Sequence, residues 1–436
     1  MESMPPTGCN VHEAHDLAEY LRRVVEAELD ELAQLPAISL EGPKAVGKTA
    51  TASRRAATIF KLEDPAQHAI ASADPNRLIA GPHPTLIDEW PRYPDSWNLV
   101  RRAVDDDRTA ARFLLTGSAD PDVPGLHSGA GRIVSIRMRP MTLTERGVGS
   151  PTVSLARLLA GTAEIRGKTE VRLAQYVEEI VASGFPGLRG LSERAQRVEL
   201  DGYVTRIVQK DFAQLGRPIR NPAALRAWLT AYAAATSTTA TVETIRAAAG
   251  EAGPSRPTVT PYDQILRNLW IVDPLPAWSP ARRSALRRLV GLEKHHLADP
   301  ALAARLLGAS ATGLLAGRET GPSIPRTGTL LGALFESLAA LSVRVFAQAA
   351  EAKVFHYRTK AGEREIDLIV EGPDMRVLPI EVKLAEVIDD ADVKHLKKLR
   401  DDLPNDVVDM VILTTGREAY RRNDGVAVVP LALLGP

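Results

Sequence analysis

The chain has 436 residues, of which 44% are hydrophobic and 25% charged; at about 150 residues per domain this predicts roughly three ordinary globular domains. The 54 basic and 54 acidic residues give no net charge, which excludes nucleic-acid binding by bulk charge and restricts any such contact to a local basic face. The single cysteine, Cys9, excludes a disulfide framework and a Cys-based zinc site, as expected in a reducing cytoplasm. The charged N-terminal segment is unlike a secretory signal, and no apolar run reaches the ~18 residues of a membrane span, so we expect a cytoplasmic protein without a membrane partner.

The first part of the chain has the pattern of a parallel α/β layer. Apolar residues at helical spacing predict a helix over residues 11–35, which ends at Pro36. Short apolar runs at 37–40, 84–90 and 112–119 are separated by helix-length connections, as in a parallel sheet. A Gly/Pro/Ser-rich stretch at 146–152 predicts the end of this domain, which we place at residues 1–150.

A phosphate-binding motif follows the first of these apolar runs. The segment matches G-x-x-x-x-G-K-[ST] at every position, with Gly42, Pro43, Lys44, Ala45, Val46, Gly47, Lys48 and Thr49. The glycines allow the loop to curl so that its N–H groups and the next helix N-terminus face phosphate oxygens. Lys48 then reaches the β- and γ-phosphates and the Thr49 hydroxyl holds Mg²⁺, so the predicted ligands are ATP and Mg²⁺.

Polar residues end the next two apolar runs. Asp88 would face the nucleotide crevice and orient the Mg²⁺ shell, and Glu89 would polarise the attacking water as a general base. At the end of the third run, either Thr116 or Ser118 would contact the water or the γ-phosphate. Each of these residues could instead cap a strand or a turn, but their combination with the loop favours the catalytic interpretation.

Three arginines follow in the segment 131–140. Arg132, Arg137 or Arg139 could supply the positive charge that stabilises phosphoryl transfer, in the same chain or toward a neighbouring one. We expect Arg132 to be that residue, which would leave an oligomer as one option. Exposed strand arginines without this role are the alternative.

The middle of the chain, residues 151–280, is predicted to be mostly helical. Over residues 221–280 the pattern gives a helix, a short helix, a Gly/Pro turn, another helix and a strand pair. That order is typical of a winged helix-turn-helix. A plain helical bundle is the alternative.

Mixed α/β character resumes in residues 281–436. A helix at 328–348 precedes three strands, a helix and two further apolar runs. Because strand side chains alternate between faces, two adjacent strands would bring Asp367, Glu381 and Lys383 together, and Glu336 is an acid in the preceding apolar helix.

The motifs GPKAVGKT, LIDEW, LLTGSA and GRIVSIRMRPMTLTE resemble those of bacterial and archaeal ATPases of the AAA type with an uncharacterised C-terminal domain. The resemblance continues through SGFPGL, YVTRIVQKD, KHHLADPALAARLLG and GTLLGALFES, and so covers nearly the whole chain. It implies an ATP-binding, AAA-like module without a known physiological task. The sequence departs from this pattern at Lys44, where an arginine is more usual.

The C-terminal D…E-x-K arrangement resembles the core of restriction-endonuclease-like nucleases. By that resemblance Asp367 and Glu381 would hold Mg²⁺, Lys383 would activate a water and Glu336 would be an accessory acidic ligand. The alternative is the exposed face of an amphipathic hairpin.

Two hypotheses about function follow. The leading one is a slow ATPase that acts on or recognises nucleic acid, with DNA contacts from the segment 281–289 and from Arg256, Arg267, Lys394, Lys397, Lys398 and Arg400. The rival is a nucleotide-dependent switch or scaffold that binds a protein partner through a catalytically inactive nuclease-like domain. Neutral net charge favours the rival.

Overall fold

The structure is a computed structural model that describes residues 20–118, 128–211, 221–280, 291–359 and 364–436. Three sequence features lie outside the described residues: Cys9, the first part of the helix predicted at 11–35, and the basic segment 281–289. The predicted mixed α/β fold with a parallel sheet is confirmed.

A five-stranded parallel sheet organises the first part of the chain. Its strands are β1 (Ala37–Glu41), β2 (Thr58–Lys61), β3 (Thr85–Asp88), β4 (Phe113–Gly117) and β5 (Val134–Arg137). They lie in the order β2–β3–β4–β1–β5, and every pair is parallel. The carboxyl ends of all the strands therefore meet at one edge, where ligands bind in sheets of this type.

Within the described residues, the helices of this part of the chain are α1 (Val25–Glu31), α2 (Lys48–Ser53), α3 (Pro65–Ala73), α4 (Arg77–Ala80) and α5 (Asp95–Asp106). Within the described residues α1 is shorter than the helix predicted from residue 11. The backbone N–H groups of Arg23 and Val24 bond to the carboxylates of Glu26 and Glu145, at 2.9 and 2.8 Å. These bonds satisfy N–H groups at the helix N-terminus, which explains a start near Val25.

The middle region contains β6 (Val153–Ser154), α6 (Leu155–Ala160), β7 (Gly167–Lys168), α7 (Leu173–Ala182), α8 (Glu193–Arg206), α9 (Pro222–Ala234), α10 (Val242–Ala248) and α11 (Arg256–Asn268). The Asn221 and Thr241 side chains cap α9 and α10. Antiparallel bridges join Val272 to Leu297 and Leu275 to Lys294 after α11, so residues 294–297 pack with the middle region and are counted with it below, although the predicted boundary is at residue 280. The helix, short helix and helix order is therefore present, but residues 272 and 275 pair with the segment 294–297 rather than within 221–280, and the winged-helix assignment stays a prediction.

The last part contains α12 (Pro300–Leu306), α13 (Ala311–Leu315), α14 (Leu330–Ala349), β8 (Lys353–Arg358), β9 (Glu365–Glu371), β10 (Val377–Lys383), α15 (Lys394–Asp402), β11 (Val411–Thr414), β12 (Glu418–Arg421), β13 (Ala427–Pro430) and β14 (Leu434–Gly435). A seven-stranded sheet has the order β7–β12–β13–β11–β10–β9–β8, and β14 pairs with β6. Strands β6 and β7, which directly follow the predicted boundary at residue 150, thus pair with C-terminal strands.

Helix α14 corrects one expectation from composition. It is long and apolar enough to cross a membrane by length and hydropathy, whereas no run of that kind was expected from the sequence. In the described part of the chain, 72% of its most apolar window is buried. This burial is what the core helix of a folded domain shows, and α14 packs against α6, α7, β8 and β10.

A single buried carboxylate joins all three parts of the chain. Asp273 accepts hydrogen bonds from Arg137 at 2.9 Å, Arg139 at 3.0 Å and Arg344 of α14. Burial alone would raise the pKa of Asp273. The three guanidinium groups nevertheless hold this pKa well below its usual range. Burial lowers the pKa of Arg137 to about 10 and that of Arg344 to about 9.

We expect the Asp273→Asn variant to be destabilised by about 3–5 kcal/mol, because three buried guanidinium groups would lose the carboxylate that they share. The urea midpoint of unfolding measures this loss. The Asp201→Asn variant is the control: Asp201 pairs with Arg305 near the surface at 2.5 Å, and such pairs contribute about 0–1 kcal/mol. Equal losses in the two variants would contradict the structural role of Asp273.

Candidate functional site

The loop between β1 and α2 has the backbone curl that phosphate binding requires. Gly42 and Gly47 have φ angles of 152° and 104°, a region that L side chains rarely adopt. A Cβ atom on Gly42 would lie 2.2 Å from the carbonyl oxygen of Met138. Both glycines are thus required by the backbone, and the loop forms a cradle at the carboxyl edge of the sheet.

Lys48 is buried beneath this loop, with 4% of its surface exposed. Its Nζ donates hydrogen bonds to the carbonyl oxygens of Gly42 and Pro43, both at 2.9 Å. Burial lowers the pKa of Lys48 to about 8, against the opposing effect of Glu89 and Asp88. The ammonium therefore lies inside the cradle, bonded to neutral carbonyls that a phosphate oxygen would replace.

Thr49, Asp88 and Thr116 form one hydrogen-bonded group at this edge. The Thr49 hydroxyl donates to Asp88 Oδ1 at 2.6 Å, and the Thr116 hydroxyl donates to the same oxygen at 2.5 Å. The three residues come from α2, β3 and β4, so the sheet order brings them together. Hydroxyl and carboxylate oxygens are the ligands that Mg²⁺ prefers, and Thr49 and Asp88 fit that ion in this position.

Glu89 directly follows β3 and has a strained backbone. Its φ of 53° lies in the left-handed region, which is uncommon for a residue other than glycine. Ser118 donates to Glu89 Oε2 at 2.9 Å, and the Glu89 N–H donates to Thr116 Oγ1 at 3.2 Å. Thr116 thus positions the Asp88 carboxylate and the Glu89 backbone, and Ser118 positions the Glu89 carboxylate.

The three candidate arginines do not reach this group of residues. Arg132 precedes β5, at the opposite edge of the parallel sheet, and pairs with Asp105 at 2.7 Å. Arg137 and Arg139 lie at the carboxyl edge but are bonded to Asp273. For Arg132 only a role toward a neighbouring chain is compatible with this position, because its own phosphate-binding loop lies at the other edge.

Three residues that the sequence motifs did not indicate contact the loop from outside. Arg23 donates to the Val46 carbonyl at 2.8 Å and to Glu145 at 3.0 Å. Tyr203 of α8 donates to the Lys44 carbonyl at 3.2 Å, and a Cβ on Gly47 would lie 3.6 Å from Pro186. The motifs SGFPGL and YVTRIVQKD contain two of them, but nothing in their spacing indicates contact with a distant loop.

The structure brings together the four C-terminal site residues. Glu381 hydrogen-bonds to Asp367, and Lys383 Nζ lies 3.7 Å from Glu381 Oε2. Glu336 of α14 joins them through Lys294, whose Nζ donates to Glu336 at 2.8 Å and to Asp367 at 2.9 Å. Sequence reasoning missed Lys294, which is 1% exposed.

Burial and charge shift the pKa values of these acids in opposite directions. Burial raises the pKa of Glu336 to about 8 and that of Glu381 well above its usual range. Despite burial, the Lys294 ammonium and hydrogen bonds lower the pKa of Asp367 to about 2. Throughout the described ranges, no group of three or more His, Cys, Asp or Glu residues is arranged to hold a metal ion.

Most of the described basic residues predicted to contact DNA are paired within the chain. The pairs are Arg256 with Glu243 at 3.4 Å, Arg267 with Glu293 at 2.6 Å, Lys397 with Asp424 at 3.5 Å and Lys398 with Asp402 at 3.0 Å. Arg400 donates to the Asp424 carbonyl at 3.3 Å. These contacts reduce the charge available to a phosphate backbone.

Comparison with known families agrees with the geometry of the first part of the chain. Residues 34–146 match an AAA domain, residues 173–313 match a domain of unknown function (DUF8612), and residues 331–434 match a second one (DUF4143). The AAA match and the loop geometry support a P-loop ATPase domain. The other two matches leave the middle and C-terminal domain types as predictions.

Two curated relatives are uncharacterized mycobacterial proteins, Mb2031c of Mycobacterium bovis and Rv2008c of Mycobacterium tuberculosis. Each is 32% identical over 230 residues, which is 50% of this chain and 44% of the relative. The match thus spans less than half of each relative's length. Among solved structures, the Walker-type ATPase PABY2304 of Pyrococcus abyssi is 15% identical with a TM-score of 0.37, over 66% of this chain and 96% of that one.

Proposed function

We propose that this chain is a slow Mg²⁺-dependent ATPase that works as a nucleotide-dependent switch. The observation that carries the ATPase assignment is the hydrogen-bonded group of Thr49, Asp88 and Thr116 beside the buried Lys48. In it, the P-loop hydroxyl, the acid that ends β3 and the hydroxyl that ends β4 converge at one edge of the sheet. That arrangement is the one nucleotide hydrolysis requires.

Each residue of the site has a proposed role. Lys48 exchanges its loop carbonyls for the β- and γ-phosphate oxygens, and loop N–H groups from Gly42 to Thr49 bind the remaining phosphate oxygens. Thr49 and Asp88 hold Mg²⁺, which neutralises phosphate charge when bound. Glu89, held by Ser118, accepts a proton from the attacking water. Thr116 holds the Asp88 carboxylate and the Glu89 backbone in place through its hydrogen bonds.

The switch part of the proposal comes from the contacts that cover the loop. The Lys44 carbonyl accepts a hydrogen bond from Tyr203 of α8, and the Val46 carbonyl accepts one from Arg23. When Lys48 leaves the carbonyls of Gly42 and Pro43, the loop backbone is free to change its hydrogen bonds. Tyr203 then transmits the nucleotide state to α8, which contacts α12. A loop that changes between two states and contacts a neighbouring helix would couple the nucleotide site to the middle region.

We expect a non-hydrolysable ATP analogue to change amide hydrogen exchange in α8 and the Tyr203→Phe variant to reduce that change. One hydrogen bond contributes about 0.5–1.5 kcal/mol, so the nucleotide-dependent change should shrink by about 2- to 10-fold while ATP binding persists. The aromatic contact with Phe185, at 4.9 Å between ring centroids, remains in this variant.

The matched control is Tyr262→Phe, because Tyr262 also contacts a backbone carbonyl, that of Asn221 at 3.5 Å, but not the loop. It should keep the full nucleotide-dependent change in α8. An unaltered change in Tyr203→Phe would contradict transmission through this hydroxyl.

A second candidate function is nucleic-acid recognition by the middle region. The observation that favours it is the order of α9, α10 and α11 followed by the bridged pair at 272–275 and 294–297. Arg256, Thr260 and Gln264 lie on the exposed face of α11. Titration with duplex DNA distinguishes the two functions: binding at low salt that weakens steeply with added salt supports recognition, whereas no binding at low salt favours the switch.

A further inference from the structure

Four carboxyl groups lie around the side chain of Lys294 in the C-terminal part of the chain. Lys294 Nζ is 2.8 Å from Glu336, 2.9 Å from Asp367 and 3.1 Å from Glu365. Glu381 completes the group through its hydrogen bond to Asp367. We refer to Glu336, Glu365, Asp367 and Glu381 as the carboxylate cluster.

The oxygens that would bind a divalent ion are already engaged. Asp367 Oδ1 accepts from Lys294, and its Oδ2 accepts from the Val382 N–H at 2.9 Å. Mg²⁺ requires near-octahedral oxygen ligands, and a second cation beside the Lys294 ammonium would be repelled in a site shielded from water.

Lys294 is also held in place by its backbone. Its N–H and carbonyl both bond to Leu275, at 2.9 and 2.8 Å, and its side chain is 1% exposed. The next residue, His295, bonds by its backbone to Thr238 at 2.8 Å. The ammonium therefore projects from the middle region into the cluster formed by α14, β9 and β10.

We infer that Lys294 is the resident cation of the carboxylate cluster and takes the place of the divalent metal ion that nuclease-like domains use. The cluster thus does not fit the Mg²⁺ role predicted for Asp367, Glu381 and Glu336. It serves instead as a metal-free ionic joint between the middle region and the C-terminal sheet. This inference is independent of the chemistry at the P-loop.

The test is to measure Mn²⁺ binding to this chain, in the absence of nucleotide, by electron paramagnetic resonance. Only the fraction that the Asp367→Asn substitution removes is counted, so that weak binding at the P-loop does not contribute. Lys294→Met removes the ammonium and keeps a long side chain of similar reach. The double variant Lys294→Met with Asp367→Asn is its matched control.

We expect wild-type protein to show no Asp367-dependent Mn²⁺ binding, and Lys294→Met to gain about one ion per chain that the double variant loses. Asp367-dependent binding in the wild type would overturn the inference. A folded Lys294→Met variant that gains no ion would overturn it as well, since Lys294 would not then be what excludes the metal. If Lys294→Met does not fold, comparison of the wild type with Asp367→Asn still decides whether the cluster takes up a metal.

Discussion

The Lys48→Ala variant should lose ATP binding by at least about 100-fold. In the structure the Lys48 ammonium lies inside the loop, bonded to the carbonyls of Gly42 and Pro43. Its transfer to phosphate replaces two neutral acceptors by charged ones, and hydrogen bonds to charged groups contribute about 1.5–3 kcal/mol each. Losing both corresponds to about 3 kcal/mol or more, or a factor of at least ~100 in Kd. Isothermal titration with Mg²⁺–ATP measures it.

The control for this variant is Lys353→Ala, which removes an exposed lysine of β8 far along the chain from the loop. It should bind ATP as the wild type does. Thermal unfolding of Lys48→Ala checks that the two freed carbonyls have not disrupted the loop. If a folded Lys48→Ala protein binds ATP within about threefold of the wild-type affinity, the assignment of this loop as the ATP-binding site is contradicted.

The Glu89→Gln variant should bind ATP but hydrolyse it about 10²- to 10⁴-fold more slowly, the range typical of a general base. The amide cannot accept the proton of the attacking water at neutral pH. It can still accept the hydrogen bond from Ser118, which lies 2.9 Å from the Glu89 carboxylate. Geometry is therefore kept while basicity is lost. Phosphate release under saturating ATP reports this change.

An exposed acid provides the comparison for Glu89. Glu63, which follows β2 on the surface, can be changed to Gln without altering the site, and that variant should keep the wild-type rate. If Glu89→Gln hydrolyses ATP as fast as Glu63→Gln, another group acts as the base. A loss of ATP affinity in Glu89→Gln, with an unchanged rate at saturation, would likewise contradict the assigned role.

The nucleotide site was largely predictable because its motif is local and its elements alternate regularly. Gly42 to Thr49 are contiguous, and apolar runs that end in Asp88 and Thr116 predict parallel strands with a common edge. The sequence did not reveal which way Arg132 points. The parallel pairing of β1 with β5 puts that residue before its strand and hence at the opposite edge.

Contacts between distant segments could not be read from the sequence. Asp273, Arg23 and Lys294 each act through partners more than 40 residues away, and an isolated charge in an apolar stretch does not specify its partner. The carboxylate pair Asp367 and Glu381 was foreseen because strand alternation is regular. The cation beside it was not, because it comes from another part of the chain.

The same long-range contacts connect the three parts of the chain. Tyr203 links the loop to α8, Asp273 links β5 to α14, and Lys294 links the middle region to α14 and β9. One hydrophobic cluster also includes Leu86, Trp228 and Leu334. Polar contacts and a shared core therefore connect the three parts, and the proposed switch would act through such packed and hydrogen-bonded contacts.

The proposed Mg²⁺-dependent ATPase activity is tested most directly by single-turnover hydrolysis of labelled ATP by the wild-type protein, measured by rapid quench with and without Mg²⁺. We expect protein-bound ATP to convert to ADP and phosphate only when Mg²⁺ is present, and the Glu89→Gln protein to keep most of its bound ATP over the time in which the wild type hydrolyses it. The proposed ATPase activity is contradicted if ATP does not bind to the wild type, or if it binds and stays unhydrolysed with Mg²⁺ present.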